Sequence, residues 1–391
     1  MKAKFKRISI AGGDSWVNTG DEAILLASLR LFKSLNPNIS IRIISGDKSK
    51  TEQQFPDYEI VDRRNIIDFV KSLHDTDLYV WGGGHLIQNS SSKIFLMYHY
   101  FLLLLVILNN VELVGFCVGV EPINGKFWQK ITRKILNKFS SISVRDERSK
   151  EILQKLKVST RIFVSSDPAI ILSPDKSIDE ELSKTQIQPY VVFSVRRWFD
   201  YRSSFLPIKF IRKVFLTQDD RFIKLINDLA LLCDWIVDKY SVNIVFVPMY
   251  IANEQSDDIV AEQIVEQMKF RNKTFVLKKQ YPPEQLIGFI SNSQFLFGMR
   301  MHSTILGACA RVPIIELYYQ GKGKSFFSAL GLQNNAISVG DYSIEKLKHV
   351  IDNVVRDRES YIEIITSSMM VLQEKINNNM KFLYKEFFGY D

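Results

Sequence analysis

The chain alternates between two kinds of segment. Short, largely apolar, strand-like runs stand at 8–11, 41–44, 78–81, 112–116 and 141–144. Between them, apolar residues recur at helical spacing over 21–35, 66–73, 92–108 and 126–138. Strand-length runs alternating with helices fit a parallel sheet covered on both faces. A polar, proline-bearing stretch from Ser173 to Pro189 breaks the pattern and reads as a linker. Alternation then resumes, with strand-like runs at 191–195, 244–247, 275–277, 295–297 and 312–317 and a long helical pattern from Ser343. The fold class expected is α/β, in two domains, 1–175 and 188–391, meeting at a cleft. The second domain carries the long C-terminal helix from Ser343, with packing back on the first domain open to it.

Size supports this division, because 391 residues exceed one ordinary core and suit two. Hydrophobic residues make up 46% of the chain, enough for both domains to bury a core. Cys117, Cys233 and Cys309 lie far apart in apolar stretches. They read as reduced core cysteines, and no metal site is expected. The net charge of +8 favours anionic partners but is interleaved with 43 acidic residues, which argues against nucleic acid. The longest apolar run, Phe101 to Leu108, falls short of the ~20 residues that span a bilayer. It reads as a buried helix, and no transmembrane segment is expected. The stretch from Lys126 to Lys138 is basic, with apolar residues at 128, 131, 135 and 139. An amphipathic core helix is the preferred reading there over a membrane-surface helix. The start of the chain runs from Lys2, Lys4, Lys6 and Arg7 straight into a strand. A cytoplasmic location is the expectation.

Four loops carry the candidate chemistry. The first runs from Gly12, Gly13 and Asp14 to Asn18, Gly20, Asp21 and Glu22, after the first strand and into a helix. Its glycines would let backbone amides approach an anion, while Asp21 and Glu22 equally suit a first helical turn. It has neither the glycine spacing of a dinucleotide fingerprint nor a P-loop lysine. The second is Gly82-Gly83-Gly84-His85, a triple glycine at a strand end that implies positive φ or close approach of a ligand. The third is Arg196-Arg197, placed to grip a carboxylate or phosphate at the end of the second domain's first strand. The basic residues from Lys209 to Lys213 read as a solvated face. The fourth is Arg300-Met301-His302 at a strand-to-helix junction. It sets a permanent cation beside a group that exchanges a proton near neutral pH. That pairing suits an enzyme holding an anion and protonating something next to it.

Taken in order, these and three further motifs resemble the polysaccharide pyruvyl transferase family. The matching elements are Asn18 to Ala23, Gly82 to Gly84, Gly119-Val120-Glu121-Pro122, Ser143 to Asp146, Asp167-Pro168-Ala169, Ser194 to Arg196 and Arg300 to Ser303. The resemblance runs from about residue 8 to about 332. Two departures stand out. The loop Tyr319-Gln320-Gly321-Lys322 lacks the family's acid and proline, and the strand exit carries an added Glu121.

The resemblance implies two Rossmann-like domains facing across a cleft, as in GT-B glycosyltransferases. It implies transfer of pyruvate from phosphoenolpyruvate to sugar hydroxyls of a polysaccharide precursor as a ketal, with no cofactor. Arg196 and Arg300 would be the anion-gripping arginines and His302 the acid, with Arg197, Ser303, Tyr319 and Lys322 on the donor side. Gly13, Asp14, Asn18, Asp21, Glu22, Gly83, Gly84 and His85 would face the acceptor. The partners implied are phosphoenolpyruvate and a glycan acceptor, free or lipid-linked at the inner membrane surface. Two alternatives share the fold: a GT-B glycosyltransferase using a nucleotide-sugar, and a non-catalytic glycan or sugar-phosphate binder.

Overall fold

In the computed structural model, the described residues are 5–12, 18–82, 84, 87–89, 93–177, 187–198, 220–252, 256–319 and 321–389. Among them, two sheets form. The first contains β1 (Arg7–Ala11), β2 (Ser40–Ser45), β3 (Glu59–Asp62), β4 (Leu78–Gly82), β5 (Glu112–Val118), β6 (Ser141–Val144) and β7 (Ile162–Val164). The second contains β8 (Tyr190–Ser194), β9 (Asn243–Phe246), β10 (Thr274–Val276), β11 (Leu296–Gly298), β12 (Ile314–Tyr318) and β13 (Ala336–Ser338). The strand orders are β3-β2-β1-β4-β5-β6-β7 and β10-β9-β8-β11-β12-β13. Every strand pairing in the first sheet is parallel, and so is every pairing in the second. Numbered from its own first strand, each sheet begins 3-2-1-4-5-6, the doubly wound Rossmann order. The order reverses between β1 and β4 in one sheet and between β8 and β11 in the other. Crevices at the carboxyl ends of such strand pairs are where open α/β sheets bind ligands.

Helices cover both sheets: α1 (Thr19–Leu35), α2 (Lys48–Gln54), α3 (Ile66–Leu73), α4 (Lys93–Leu108), α5 (Lys126–Leu136) and α6 (Glu147–Lys155) in the first half. The second half has α7 (Asp220–Tyr240), α8 (Asp257–Gln267), α9 (Pro283–Ser291), α10 (Met301–Cys309), α11 (Gly321–Ala329), α12 (Ile344–Arg356) and α13 (Arg358–Leu383). Local chemistry fixes where they begin. The Asn18 side chain accepts from the Gly20 amide, and Asp21 and Glu22 occupy the first turn of α1, all favourable at a helix N-terminus.

The halves share a core. One apolar cluster joins Ala27 and Leu31 of α1, Ile170 after β7, Ile290 of α9, Ile305 of α10 and Ile376 of α13. The helical pattern from Ser343 is two helices rather than one. It breaks at Asp357 into α12 and α13. α12 buries Leu347, Ile351 and Val354 in the second half's core. α13 returns to the first half, where the Ser166 hydroxyl donates to the Leu372 carbonyl at 3.0 Å and the Asn379 amide donates to the Ser143 hydroxyl at 3.0 Å. Helical periodicity shows that a face is apolar but not which sheet receives it.

The run Phe101 to Leu108 also departs from expectation. It is helical, yet only one side is buried: Leu102, Leu103 and Val106 are in the core, while Phe101, Leu104 and Leu108 are 46%, 47% and 66% exposed. The short elements β3, β7, β13, α2 and α6 have no clear sequence signal, being brief or largely polar. Part of the linker, residues 178–186, lies outside the described residues.

Candidate functional site at the two switch points

β8 and β11 pair with Gly298 opposite Ser194, so their exits, Val195-Arg196-Arg197 and Met299-Arg300, lie side by side. Arg196 is set over the Tyr319 ring, 4.3 Å from its centre, and donates to the Tyr319 hydroxyl and the Arg197 carbonyl. Among the described residues its hydrogen-bond partners are neutral. Burial, and then the neighbouring charge of Arg300, push the Arg196 guanidinium below its ordinary pKa. Two cations pressed together and withdrawn from water seek an anion.

Arg300 has one already. Its Nε and Nη2 each donate at 2.7 Å to Asp257, whose side chain is 1% exposed. Burial works against the Arg300 charge, but Asp257 outweighs it and raises the pKa. The two-point fork of Arg300 is thus filled by protein, and Arg196 carries the uncompensated charge. Arg197 turns elsewhere, its guanidinium 5.2 Å from the Phe222 ring of α7.

His302 is the second residue of α10. Its Nε2 lies 3.4 Å from Asp167 Oδ2. Asp167 also accepts from Arg145 Nη1 at 3.1 Å and from the Ala169 amide at 3.1 Å. Burial acts to raise the Asp167 carboxyl, but His302, Arg145 and the Ala169 amide together hold it at about 2. A fixed negative charge therefore sits against one ring nitrogen, Nε2. Such a carboxylate fixes the orientation of the imidazole. The ring also packs on Gly20, where any Cβ would overlap it. The Ser303 hydroxyl donates to the Arg300 carbonyl at 2.6 Å, holding the first turn of α10.

The first switch point is chemically different. A cavity of about 300 Å³ opens at the ends of β1 and β4, lined by Gly12, Asp21, Arg63, Gly84, Gln88 and His99 among others. Gly84 has φ +86°, and a Cβ at Gly82 would lie 2.6 Å from the Phe116 carbonyl oxygen, so both turns demand glycine. Arg196, Arg300 and His302 do not line this cavity. Asn18 and Glu22 face the other half instead. Asn18 forms a β-bridge with Tyr250, and the Thr19 amide donates to the Met249 carbonyl at 2.9 Å. The Met249 amide in turn donates to Asp257 at 3.1 Å. The start of α1 is thereby tied to the carboxylate that holds Arg300. Glu22 accepts from Gln280 at 3.2 Å. Burial lifts its carboxyl to about 7 despite that hydrogen bond.

Gly13, Asp14, Gly83 and His85 lie outside the described residues, as does the Lys322 side chain. Sequence reasoning gave no role to Asp167, Arg145 or Asp257. Asp167 and Arg145 stood in quoted motifs, Asp167-Pro168-Ala169 and Ser143 to Asp146. Asp257 looks like any first-turn acid of a helix, and nothing local betrays its pairing with Arg300.

Comparisons with known proteins agree with this architecture. A profile of the family described as polysaccharide pyruvyl transferase matches residues 18–321. No curated protein matches the chain. Among solved structures, S. aureus MnaA with UDP is 12% identical over 97% of each chain, with a TM-score of 0.61. A glycosyltransferase from Rickettsia africae is 12% identical over 97% of this chain and 98% of that one, with a TM-score of 0.59. The UDP-GlcNAc 2-epimerase of Methanocaldococcus jannaschii is 12% identical over 89% of this chain and 92% of that one, with a TM-score of 0.58. At such identities the likeness is one of fold: two Rossmann-like domains in the GT-B arrangement.

Proposed function

Because the chain belongs to the polysaccharide pyruvyl transferase family, we propose that it moves the pyruvate unit of phosphoenolpyruvate onto two hydroxyls of a glycan precursor as a ketal. The observation that carries the reading is the cluster at the second switch point. There Arg196, lacking a carboxylate partner among the described residues, stands beside Arg300, and His302 follows on a helix turn backed by ionised Asp167. Phosphoenolpyruvate brings two anionic groups on one vinyl carbon. Arg196 binds one of them directly. Arg300, fixed by Asp257, adds its field. His302, steadied by Asp167, gives a proton to the terminal methylene. The neighbouring carbon gains cationic character and a sugar hydroxyl attacks it. Phosphate leaves with the electron pair of its C–O bond, and a second hydroxyl closes the ring. The two hydroxyl protons go to the leaving phosphate and back to His302, so the enzyme ends as it began. A positioned acid contributes about 10²–10⁴-fold, and preorganised cations at the developing charge contribute comparably.

The cavity at the first switch point suits the acceptor, having apolar walls with Asp21, Arg63 and Gln88 as polar groups for a sugar. No cofactor enters this scheme. A nucleotide-sugar transferase is the second reading, favoured by the GT-B fold and by a neighbour solved with UDP. Calorimetry and phosphate release separate the two. Saturable phosphoenolpyruvate binding, with phosphate released only when a glycan acceptor is present, is expected. Binding of UDP-sugars with no response to phosphoenolpyruvate would overturn the proposal.

A further inference from the structure

α4 shows an apolar stripe to solvent. Ile94, Met97, Phe101, Leu104 and Leu108 recur at alternating spacings of three and four, and Phe101, Leu104, Leu108 and Met97 are each about half exposed or more. The spacing sets them on one side of the helix. The opposite side, with Leu96, His99, Leu103 and Val106, is buried against the first sheet. Beside α4 lies α5, which presents Phe127, Lys130 and Lys134 outward, with Lys138 just beyond its end. Ile67 of α3, on the other flank, is 69% exposed.

Charge decides what covers this face. From Lys93 to Val111 and from Pro122 to Arg145 the sequence has no Asp or Glu, while Lys126, Lys130, Arg133, Lys134 and Lys138 supply only positive charge. A second copy of the chain docking here by twofold symmetry would set these lysines near their equivalents, and like charges oppose that contact. An anionic bilayer surface matches both features, because apolar side chains enter the headgroup boundary while lysines meet the phosphates. Among the described residues no helix is long and apolar enough to cross a membrane, so the contact is with the surface.

We propose that the outer face of α3, α4 and α5 docks the protein onto an anionic membrane surface. α4 would lie in the interface plane, its inner side lining the cavity at the first switch point through Phe95, His99, Leu102 and Leu103. The cavity would then stand within about one helix diameter, ~10 Å, of the headgroups, in reach of an acceptor carried on a lipid. The docking stands on the surface itself and does not depend on the donor being phosphoenolpyruvate.

Flotation of the full chain with vesicles tests it without any assay of turnover. Vesicles of phosphatidylcholine mixed with phosphatidylglycerol should carry the protein, and those of phosphatidylcholine alone should carry much less. Phe101→Glu/Leu104→Glu should reduce the bound fraction roughly tenfold or more. Lys130→Glu/Lys134→Glu should do likewise and flatten the salt dependence. These positions are exposed, and an unchanged thermal midpoint verifies that each variant folds. Equal recovery with both vesicle types overturns the proposal. So does a concentration-dependent dimer that Leu104→Glu dissolves, because the face then belongs to a second copy.

Discussion

At the first switch point the exits of β1 and β4 are glycines, and the side chains around them are Asp21, Arg63, Gln88, His99 and a wall of apolar residues. At the second, the exits of β8 and β11 carry Arg196 and Arg300, with His302 one turn on. The strand order is the same in both sheets. Topology therefore supplies the crevice and the exit residues supply the chemistry. A glycine-walled crevice with one charged group of each sign, Asp21 and Arg63, can admit the bulk of a sugar, whereas one lined by two arginines holds a small anion. The two are also coupled. Asn18 and Thr19 at one crevice bond to the Tyr250–Met249 backbone, which leads through Asp257 to Arg300 at the other.

If the division of labour is real, variants at the two crevices should separate donor effects from acceptor effects. The largest effect is expected for His302→Gln: a fall in kcat of about 10² or more, with phosphoenolpyruvate affinity nearly unchanged in calorimetry. Asp21→Asn should instead raise the acceptor KM and leave donor affinity alone. Matching signatures for the two would erase the distinction.

Within the second crevice, Arg196→Ala should weaken phosphoenolpyruvate binding by roughly 10- to 100-fold, since hydrogen bonds to charged groups contribute about 1.5–3 kcal/mol. Arg197→Ala, whose side chain packs on Phe222, should cost far less. Equal losses at both positions would mean that the buried cation is not the anion grip.

Gly20 joins the crevices sterically. Gly20→Ala should lower stability by about 1–3 kcal/mol, the usual cost of overpacking, and should reduce kcat by displacing His302. A thermal melt together with initial rates checks both. A variant as stable and active as the parent would show that the halves do not press on each other there.

The smallest effects are those of pH on two carboxylates of opposite habit. Asp167 is held at about 2, below its ordinary 3.8. Its contribution is present above pH 3.8 and is lost as pH falls toward 2. Glu22 is raised from 4.5 to about 7. The folded state keeps that proton while the unfolded chain has shed it, so stability declines as pH rises from 4.5 and levels off above 7. Glu22→Gln should therefore raise stability at pH 8, by at most about 3 kcal/mol, and change little at pH 4. Urea unfolding at both values measures it, and an equal shift at the two would remove Glu22 from the pH dependence.

Much of this molecule follows from its residues read in line. Strand–helix alternation is periodic and local, so the two parallel sheets were legible, as were the glycine turns and the basic strand exits where ligands would bind. Three features were not, each depending on what a residue meets across the fold. Phe101 to Leu108 reads as a run for the interior, yet half of it faces outward because, among the described residues, nothing packs beyond α4. The helical pattern after Ser343 conceals a break at Asp357 that separates α12 from α13. Arg300 reads as a free clamp, but Asp257, 43 positions away, fills its fork, while Asp167 reaches His302 from the other half. The sequence determines which segments bury a face and which residue types stand at strand ends. Only the tertiary structure decides which charges neutralise one another, because that depends on distances between residues far apart in the chain.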